Sequence, residues 1–190
     1  MGHCIEIANF LRKEVENPTV TFNRIDAGRL YDSTLLDWAF SDQDESVIQT
    51  AKEMTLISFE LPMFAAVRLG RTTKDEICRV YELGVTDGWA NVLNGGNSQS
   101  YNWKRERTGQ EDLKEIPCGA IVSFNGDDYV GISLGKDKNS HKNLMVGLWG
   151  NVSGVSWNVP LTINEVYATA SFMSTDISED IEVRYAKCIW

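Results

Sequence analysis

Apolar positions recur with helical spacing along the first half of the chain. Residues 5–15 form an amphipathic stripe typical of an α-helix. Residues 59–69 are apolar on nearly every side and are followed by Gly70, a residue that commonly ends helices. Because Pro62 is compatible only with the first turn, this helix begins near residues 58–61. The pattern predicts a buried central helix.

Capping residues and acidic first turns mark further helices in this half of the chain. The predicted helical segments are residues 33–40, residues 42–56, residues 73–83 and a short segment around Trp89. Residues 19–25 match a short strand.

From residue 116 onward the pattern changes to short apolar runs. Residues 120–125, 129–134 and 144–149 have strand length and are rich in β-branched or aromatic side chains. Stretches of Gly, Asn and Asp separate these runs, so they predict a three-stranded antiparallel meander. A short helix beginning at Thr162 and a last strand over residues 181–189 follow.

Helices followed by an antiparallel sheet indicate an α+β fold. We expect N-terminal helices packed on a C-terminal antiparallel β-sheet of about four to six strands. With 190 residues and no Pro-rich or low-complexity linker, the chain is long enough for one sizeable core. We therefore predict a single domain over residues 1–190, helical to about residue 110 and β-rich from about residue 111.

The charge balance narrows the classes of partner. The net charge is -9, whereas surfaces that bind nucleic acid or anionic membranes carry clustered Lys and Arg. No stretch reaches the roughly 18 consecutive apolar residues of a membrane span, and residues 1–15 do not read as a secretory signal peptide. We expect no nucleic-acid partner, no membrane span, and a location in the cytoplasm or secretion without a cleavable signal peptide.

The cysteines and histidines are too few and too widely spaced for a metal or redox motif. Cys4, Cys78, Cys118 and Cys188 contain no C-x-x-C pair, and there are two histidines. Glycine-rich phosphate loops are absent from the sequence. We expect reduced thiols, no metal site and no cofactor.

Four stretches resemble papain-like and NlpC-type cysteine hydrolases. Residues 59–70 read FELPMFAAVRLG, which is similar to the nucleophile helix of these enzymes. The strand pair that follows in the family is similar to IPCGAIVSF at residues 116–124 and YVGISLG at residues 129–135. The third strand is similar to MVGLW at residues 145–149. The resemblance implies a papain-like fold.

The same resemblance implies the positions of the catalytic residues. The nucleophile's place falls at Ser58, the base's place at Tyr129 and the orienting residue's place at Asn151. The family requires Cys and His at the first two positions, because a thiol activated by imidazole performs the attack. A phenol with an ordinary pKa near 10 is a poor general base at neutral pH. The expected catalytic positions are therefore substituted in this chain.

Other residues offer alternative chemistry or binding. Cys118 and His141 would form a second dyad if the loop carrying His141 folded back over the sheet, although no helix start is available there to activate the thiol. The simplest alternative for His141 is a solvent-exposed loop residue without a catalytic role. Trp89, Trp103 and Trp149 would act as anchors of a protein interface if they were exposed together.

These observations lead to a primary functional hypothesis and two alternatives. The primary one is a catalytically degenerate papain-like domain that acts by protein–protein interaction, of the kind found among bacterial secreted, virulence-associated effectors. The first alternative is a cysteine amidase, protease or glutamine deamidase, either active or inactivated by a Ser at position 58. The second is an acidic immunity-type protein that neutralises a toxin.

Overall fold

A computed structural model describes residues 2–96, 99–103, 115–124, 129–149, 160–163, 165–166 and 181–190. The α-helices bounded in these ranges are α1 (Gly2–Glu16), α2 (Thr34–Ala39), α3 (Glu45–Thr50), α4 (Glu60–Arg68), α5 (Lys74–Asp87) and α6 (Trp89–Leu93), and a 3-10 helix spans Ala27–Asp32. None of the helices in the described ranges has the length and apolarity needed to cross a bilayer.

The strands form one parallel pair and one antiparallel sheet. The parallel pair is β1 (Thr21–Arg24) with β2 (Glu53–Leu56). The strands of the sheet are β3 (Gln99–Trp103), β4 (Ala120–Phe124), β5 (Tyr129–Lys136), β6 (Asn143–Gly147), β7 (Leu161–Thr162) and β8 (Ile181–Lys187). In the described part of the chain the sheet is six-stranded, in the order β3-β8-β4-β5-β6-β7. The predicted α+β class and the β4–β5–β6 meander are confirmed.

Both faces of the sheet are buried. The face toward α1 and α4 carries Ile121, Ile132, Leu134 and Val146, which pack with the helices in the larger core. The opposite face carries Val122, Phe124, Met145 and Val183, which form a second core with Trp149 and Ile163. Because successive side chains of a strand point to opposite faces, two buried faces explain why β4 is apolar almost throughout.

The helix predicted over residues 42–56 is wrong in its second half. The helix α3 begins after Asp44, whose carboxylate accepts a hydrogen bond from the Ser46 N–H at 2.9 Å, as a helix cap does. The chain then turns into β2, which pairs with β1 and buries Met54 and Leu56. Pairing with a distant strand overrides the local helical pattern, and local periodicity carries no information about that strand.

The expectation that all four cysteines are reduced is also wrong. Cys4 and Cys188 form a disulfide with a Cα–Cα separation of 6.0 Å, while Cys78 and Cys118 are free. The bridge ties the first turn of α1 to the segment that follows β8. The two cysteines are 184 positions apart, so their spacing gives no sign of the pairing.

A glycine turn fits closely against the first turn of α1. Gly119 has φ +86, and a Cβ on this residue would lie 2.6 Å from the carbonyl carbon of Cys4. Gly70 also has a positive φ, +63, but the described part of the chain places no atom within 4 Å of a Cβ there. We expect Gly70→Ala to lower stability by about 1 to 2 kcal/mol, because alanine is strained in the left-handed backbone conformation.

We expect Gly119→Ala to cost more than Gly70→Ala, by at least about 1 kcal/mol, because it adds a backbone clash to the same conformational strain. Chemical unfolding of the two variants and the wild-type protein measures the difference. Equal losses of stability would contradict the close contact between Gly119 and Cys4.

Candidate functional site

The start of α4 is organised around a buried carboxyl group. Glu60 is the first residue of α4 and is 0 % exposed. Its Oε1 accepts hydrogen bonds from the Ser33 hydroxyl, at 2.7 Å, and from the Tyr81 hydroxyl. Its Oε2 accepts a hydrogen bond from the Ile57 N–H at 2.7 Å. We call these four residues the Glu60 network.

Local capping places the donors of the Glu60 network. Ser33 is the N-cap of α2, where its Oγ accepts the Leu36 N–H at 3.1 Å and so leaves its own proton for Glu60. Tyr81 lies on the buried stripe of α5, a helix that opens with a capping box between Thr73 and Glu76. The network therefore joins α2, α4, α5 and the segment that leads from β2 into α4.

Burial sets the protonation of the network. It raises the pKa of Glu60 from 4.5 to about 7, although the three hydrogen bonds favour the charged form. Burial and the neighbouring Glu60 raise the pKa of Tyr81 well above 10, so the phenol keeps its proton and donates it.

Ser58, the predicted nucleophile position, is closed to solvent. It precedes α4 by two residues and is 2 % exposed. The next residue, Phe59, stacks on Trp89 with ring centroids 4.1 Å apart, and Trp89 in turn contacts Tyr81 edge-on at 6.0 Å. Trp89 lies against α5 where Gly84 leaves room, since a Cβ on Gly84 would overlap the indole. Aromatic rings therefore pack against Phe59, the residue next to Ser58.

Tyr129, the predicted base position, lies at the same end of the fold as Ser58. It is the first residue of β5, and the Arg24 guanidinium stands 5.6 Å from the centroid of its ring. Arg24 is the strand partner of Leu56, two residues before Ser58. The structure thus brings together the neighbourhoods of the two positions, but it places a cation over a phenol where the family's mechanism needs an imidazole base.

The remaining predicted residues lie elsewhere. Asn151 is outside the described residues, and of Trp103 the structure describes the backbone, in β3. Trp149 is fully buried and packs edge-on against Phe124 in the second core, so it is not an exposed anchor. Of the predicted tryptophan anchors, Trp89 is half-buried in the ring cluster beside Tyr81.

His141 lies at the far end of β5 from Tyr129. Its backbone has φ 57, its N–H bonds to the Asp137 carbonyl at 2.9 Å, and its side chain is exposed. Because β5 has eight residues, its two ends are about 23 Å apart. His141 therefore serves neither Ser58 nor Tyr129.

Cys118 borders a groove at the His141 end of the sheet. The groove has a volume of about 570 Å³ and is lined by Cys4, Ile5, Glu115, Pro117, Cys118, Gly119, Ala120, Tyr185, Ala186 and Lys187. We call it the Cys118 groove. Burial raises the pKa of the Cys118 thiol, and His141 is not among the lining residues. The geometry does not assemble a Cys118–His141 dyad.

The sequence reasoning missed the members of the Glu60 network. One signal for it was available, because Glu60 is the only acid in an otherwise apolar helical run, and a carboxyl buried there requires donors. The identity of the donors could not be read in the same way, since Ser33 and Tyr81 lie 27 and 21 positions away in the chain.

Neither a metal site nor a relative adds to this picture. In the described ranges no three His, Cys, Asp or Glu side chains come together in a group that could hold a metal ion. No protein-family model, curated protein or solved structure matches the chain.

The Glu60 network predicts a pH dependence of stability. Because the folded-state pKa of Glu60 is about 7 and the ordinary value is 4.5, the folded protein holds this proton more tightly than the unfolded chain. Its stabilising contribution is complete below pH 4.5 and is lost as the pH rises through 7, a change of about 3 kcal/mol at 1.36 kcal/mol per pKa unit. Glu60→Gln removes this slope, because the amide does not titrate.

Urea unfolding of wild-type protein and Glu60→Gln between pH 4.5 and 8 measures the slope. Glu76→Gln is the matched control, since hydrogen bonds from Thr73 and Thr72 lower the pKa of Glu76 and its contribution is lost toward acid instead. Identical slopes for wild-type protein and Glu60→Gln would contradict the buried carboxyl.

Proposed function

We propose that this chain is a protein-binding domain on a papain-like frame whose hydrolytic centre has been replaced by packing. The observation that carries the proposal is the closure of the nucleophile position. Ser58 is 2 % exposed. The Ile57 N–H, at the β2–α4 junction, donates to the carboxyl of Glu60 and so is not available to a substrate. A hydrolase needs a nucleophile that its substrate can reach.

The base position supports the same proposal. Tyr129 is half-buried, with the Arg24 guanidinium 5.6 Å from the centroid of its ring, and a phenol is a poor general base at neutral pH. A domain that has an enzyme's fold but lacks the nucleophile and the base can still bind proteins through its surface. The effector role implied by the resemblance requires only such binding.

The surface that we assign to binding lies on α2 and α5. Phe40, at the end of α2, is 59 % exposed and lies against Tyr81 with ring centroids 6.1 Å apart. Val85, one helical turn beyond Tyr81, is 74 % exposed. Exposed apolar side chains grouped in this way are typical of protein interfaces. We call Phe40 and Val85, the exposed side chains on either side of the buried Tyr81, the α2–α5 face.

Acidic residues near the α2–α5 face indicate the charge of the partner. Asp37 lies three residues before Phe40. Asp75 and Glu82 lie near Cys78, because they add to the rise in its thiol pKa that burial mainly causes. All three acids are exposed. Together with the net charge of -9, this predicts a partner that presents apolar residues within a basic surface. An immunity-type role is the special case in which that partner is a basic toxin.

The burial of Ser58 predicts the reactivity of a cysteine introduced at this position. In the double variant Ser58→Cys with Tyr129→His, we expect the new thiol to react with iodoacetamide at least about tenfold more slowly in the folded protein than in denaturant, because its reaction requires local opening. Peptide mass spectrometry reports the labelling at position 58 itself. Rapid labelling with a depressed thiol pKa would instead support an inactivated hydrolase.

The α2–α5 face predicts which substitutions abolish binding. We expect Phe40→Ala with Val85→Ala to weaken binding of an amphipathic Leu/Lys peptide at least about tenfold, the effect of losing interface anchors. A Leu/Glu peptide of the same pattern should not bind. Val47→Ala, on α3 and 40 % exposed, is the matched control and should leave affinity unchanged.

Calorimetric titration of the three proteins with both peptides gives the affinities. Equal weakening by Val47→Ala, or binding of the Leu/Glu peptide, would show non-specific association and contradict the assignment of the α2–α5 face.

A further inference from the structure

Two of the four cysteines, Cys4 and Cys118, line the Cys118 groove. Cys4 forms the disulfide with Cys188, which is not among the lining residues. Cys4 is therefore the bridged cysteine that shares the groove with Cys118.

The chain segments that carry Cys118 and Cys4 are in backbone contact. A Cβ on Gly119 would lie 2.6 Å from the Cys4 carbonyl carbon and 2.7 Å from its oxygen. With standard backbone dimensions, this contact keeps the Cα atoms of Cys118 and Cys4 within about 9.5 Å. Disulfides span Cα separations up to about 7 Å, so a bridge forms when the Cys118–Gly119 turn brings Cys118 within that separation of Cys4.

We propose that Cys118 is an exchange thiol for the Cys4–Cys188 disulfide. In the step, the Cys118 thiolate attacks the Cys4 Sγ, the Cys4–Cys188 bond breaks and a Cys4–Cys118 bond forms. Cys188 leaves as a thiolate and takes up the proton that Cys118 released. The number of disulfides is unchanged, so the step requires no oxidant or reductant. This inference does not depend on the proposed function.

The surroundings of Cys118 set the pH at which the attacking thiolate forms. Burial raises the pKa of the Cys118 thiol, and the Arg12 side chain, which donates to the Leu134 carbonyl at 2.8 Å, offsets part of that rise. The other charged residues of the groove are Glu115 and Lys187, both exposed. Exchange is consequently slow at neutral pH and faster toward alkaline pH, where the thiolate is populated.

Exchange would remove the covalent attachment of residues 188–190 to α1. In the present bridge Cys188 ties residues 188–190 to α1, with the Ile189 N–H bonded to the Leu93 carbonyl at 3.0 Å. After exchange, α1 is tied to the start of β4 and residues 188–190 are held by non-covalent contacts alone. The chain therefore has two alternative covalent closures around one groove.

The test is oxidation of a Cys188→Ser variant with oxidised glutathione, followed by acid quenching and non-reducing peptide mapping. We expect a Cys4–Cys118 bridge, formed when Cys118 displaces glutathione from Cys4. Cys78 is the matched free cysteine, placed on α5 with its Sγ 3.0 Å from the Ala39 carbonyl oxygen, and it should stay unbridged. In Cys118→Ser with Cys188→Ser, Cys4 should remain glutathionylated.

The wild-type protein supplies a second measurement that does not depend on the variant's folding. Partial reduction in a glutathione buffer, quenched and mapped in the same way, should yield Cys4–Cys118 peptides beside Cys4–Cys188 peptides. The proposal is overturned if Cys188→Ser gives glutathionylated Cys4 with a free Cys118, or a Cys4–Cys78 bridge. It is also overturned if the wild-type protein yields only Cys4–Cys188 and fully reduced chains.

Discussion

The carboxyl group of Glu60 is the constraint on which the helical half of the structure depends. A fully buried carboxyl is tolerated only when its oxygens are hydrogen-bonded, and here each donor comes from a different part of the chain. Loss of the Ile57 donor would leave Oε2 without its hydrogen bond, at about 1 to 3 kcal/mol, and loss of Ser33 or Tyr81 would leave Oε1 with one donor in place of two. The group therefore fixes the positions of α2, α4 and α5 relative to one another.

The same network connects the closed centre to the surface assigned to binding. Ser33 and Tyr81 belong to α2 and α5, the helices that end at or carry Phe40 and Val85. The interactions that close the Ser58 segment thus also position the α2–α5 face. Under the proposed function, the place that activates a nucleophile in papain-like enzymes would here be a structural centre, and the exposed residues near it would bind a basic, apolar partner.

The sequence predicted those features that depend on local pattern. The stripe over residues 5–15, the helical segments that begin near residues 33 and 73 and the apolar runs of the meander appear in the structure close to their expected bounds. Features that depend on contacts between distant residues were missed, because neither periodicity nor spacing records them. Examples are the pairing of β2 with β1, the disulfide of Cys4 with Cys188, and the donors to Glu60.

The most direct test of the buried Glu60 carboxyl is a ¹³C NMR titration of the carboxyl groups in glutamate-labelled protein. The Glu60→Gln variant assigns the Glu60 resonance. Burial in the network predicts that the Glu60 carboxyl titrates at a pH of about 7. A Glu60 resonance that titrates near the ordinary value of 4.5 would contradict a carboxyl whose burial outweighs its three hydrogen bonds. It would thereby count against the closed centre beside Ser58, on which the proposed function depends.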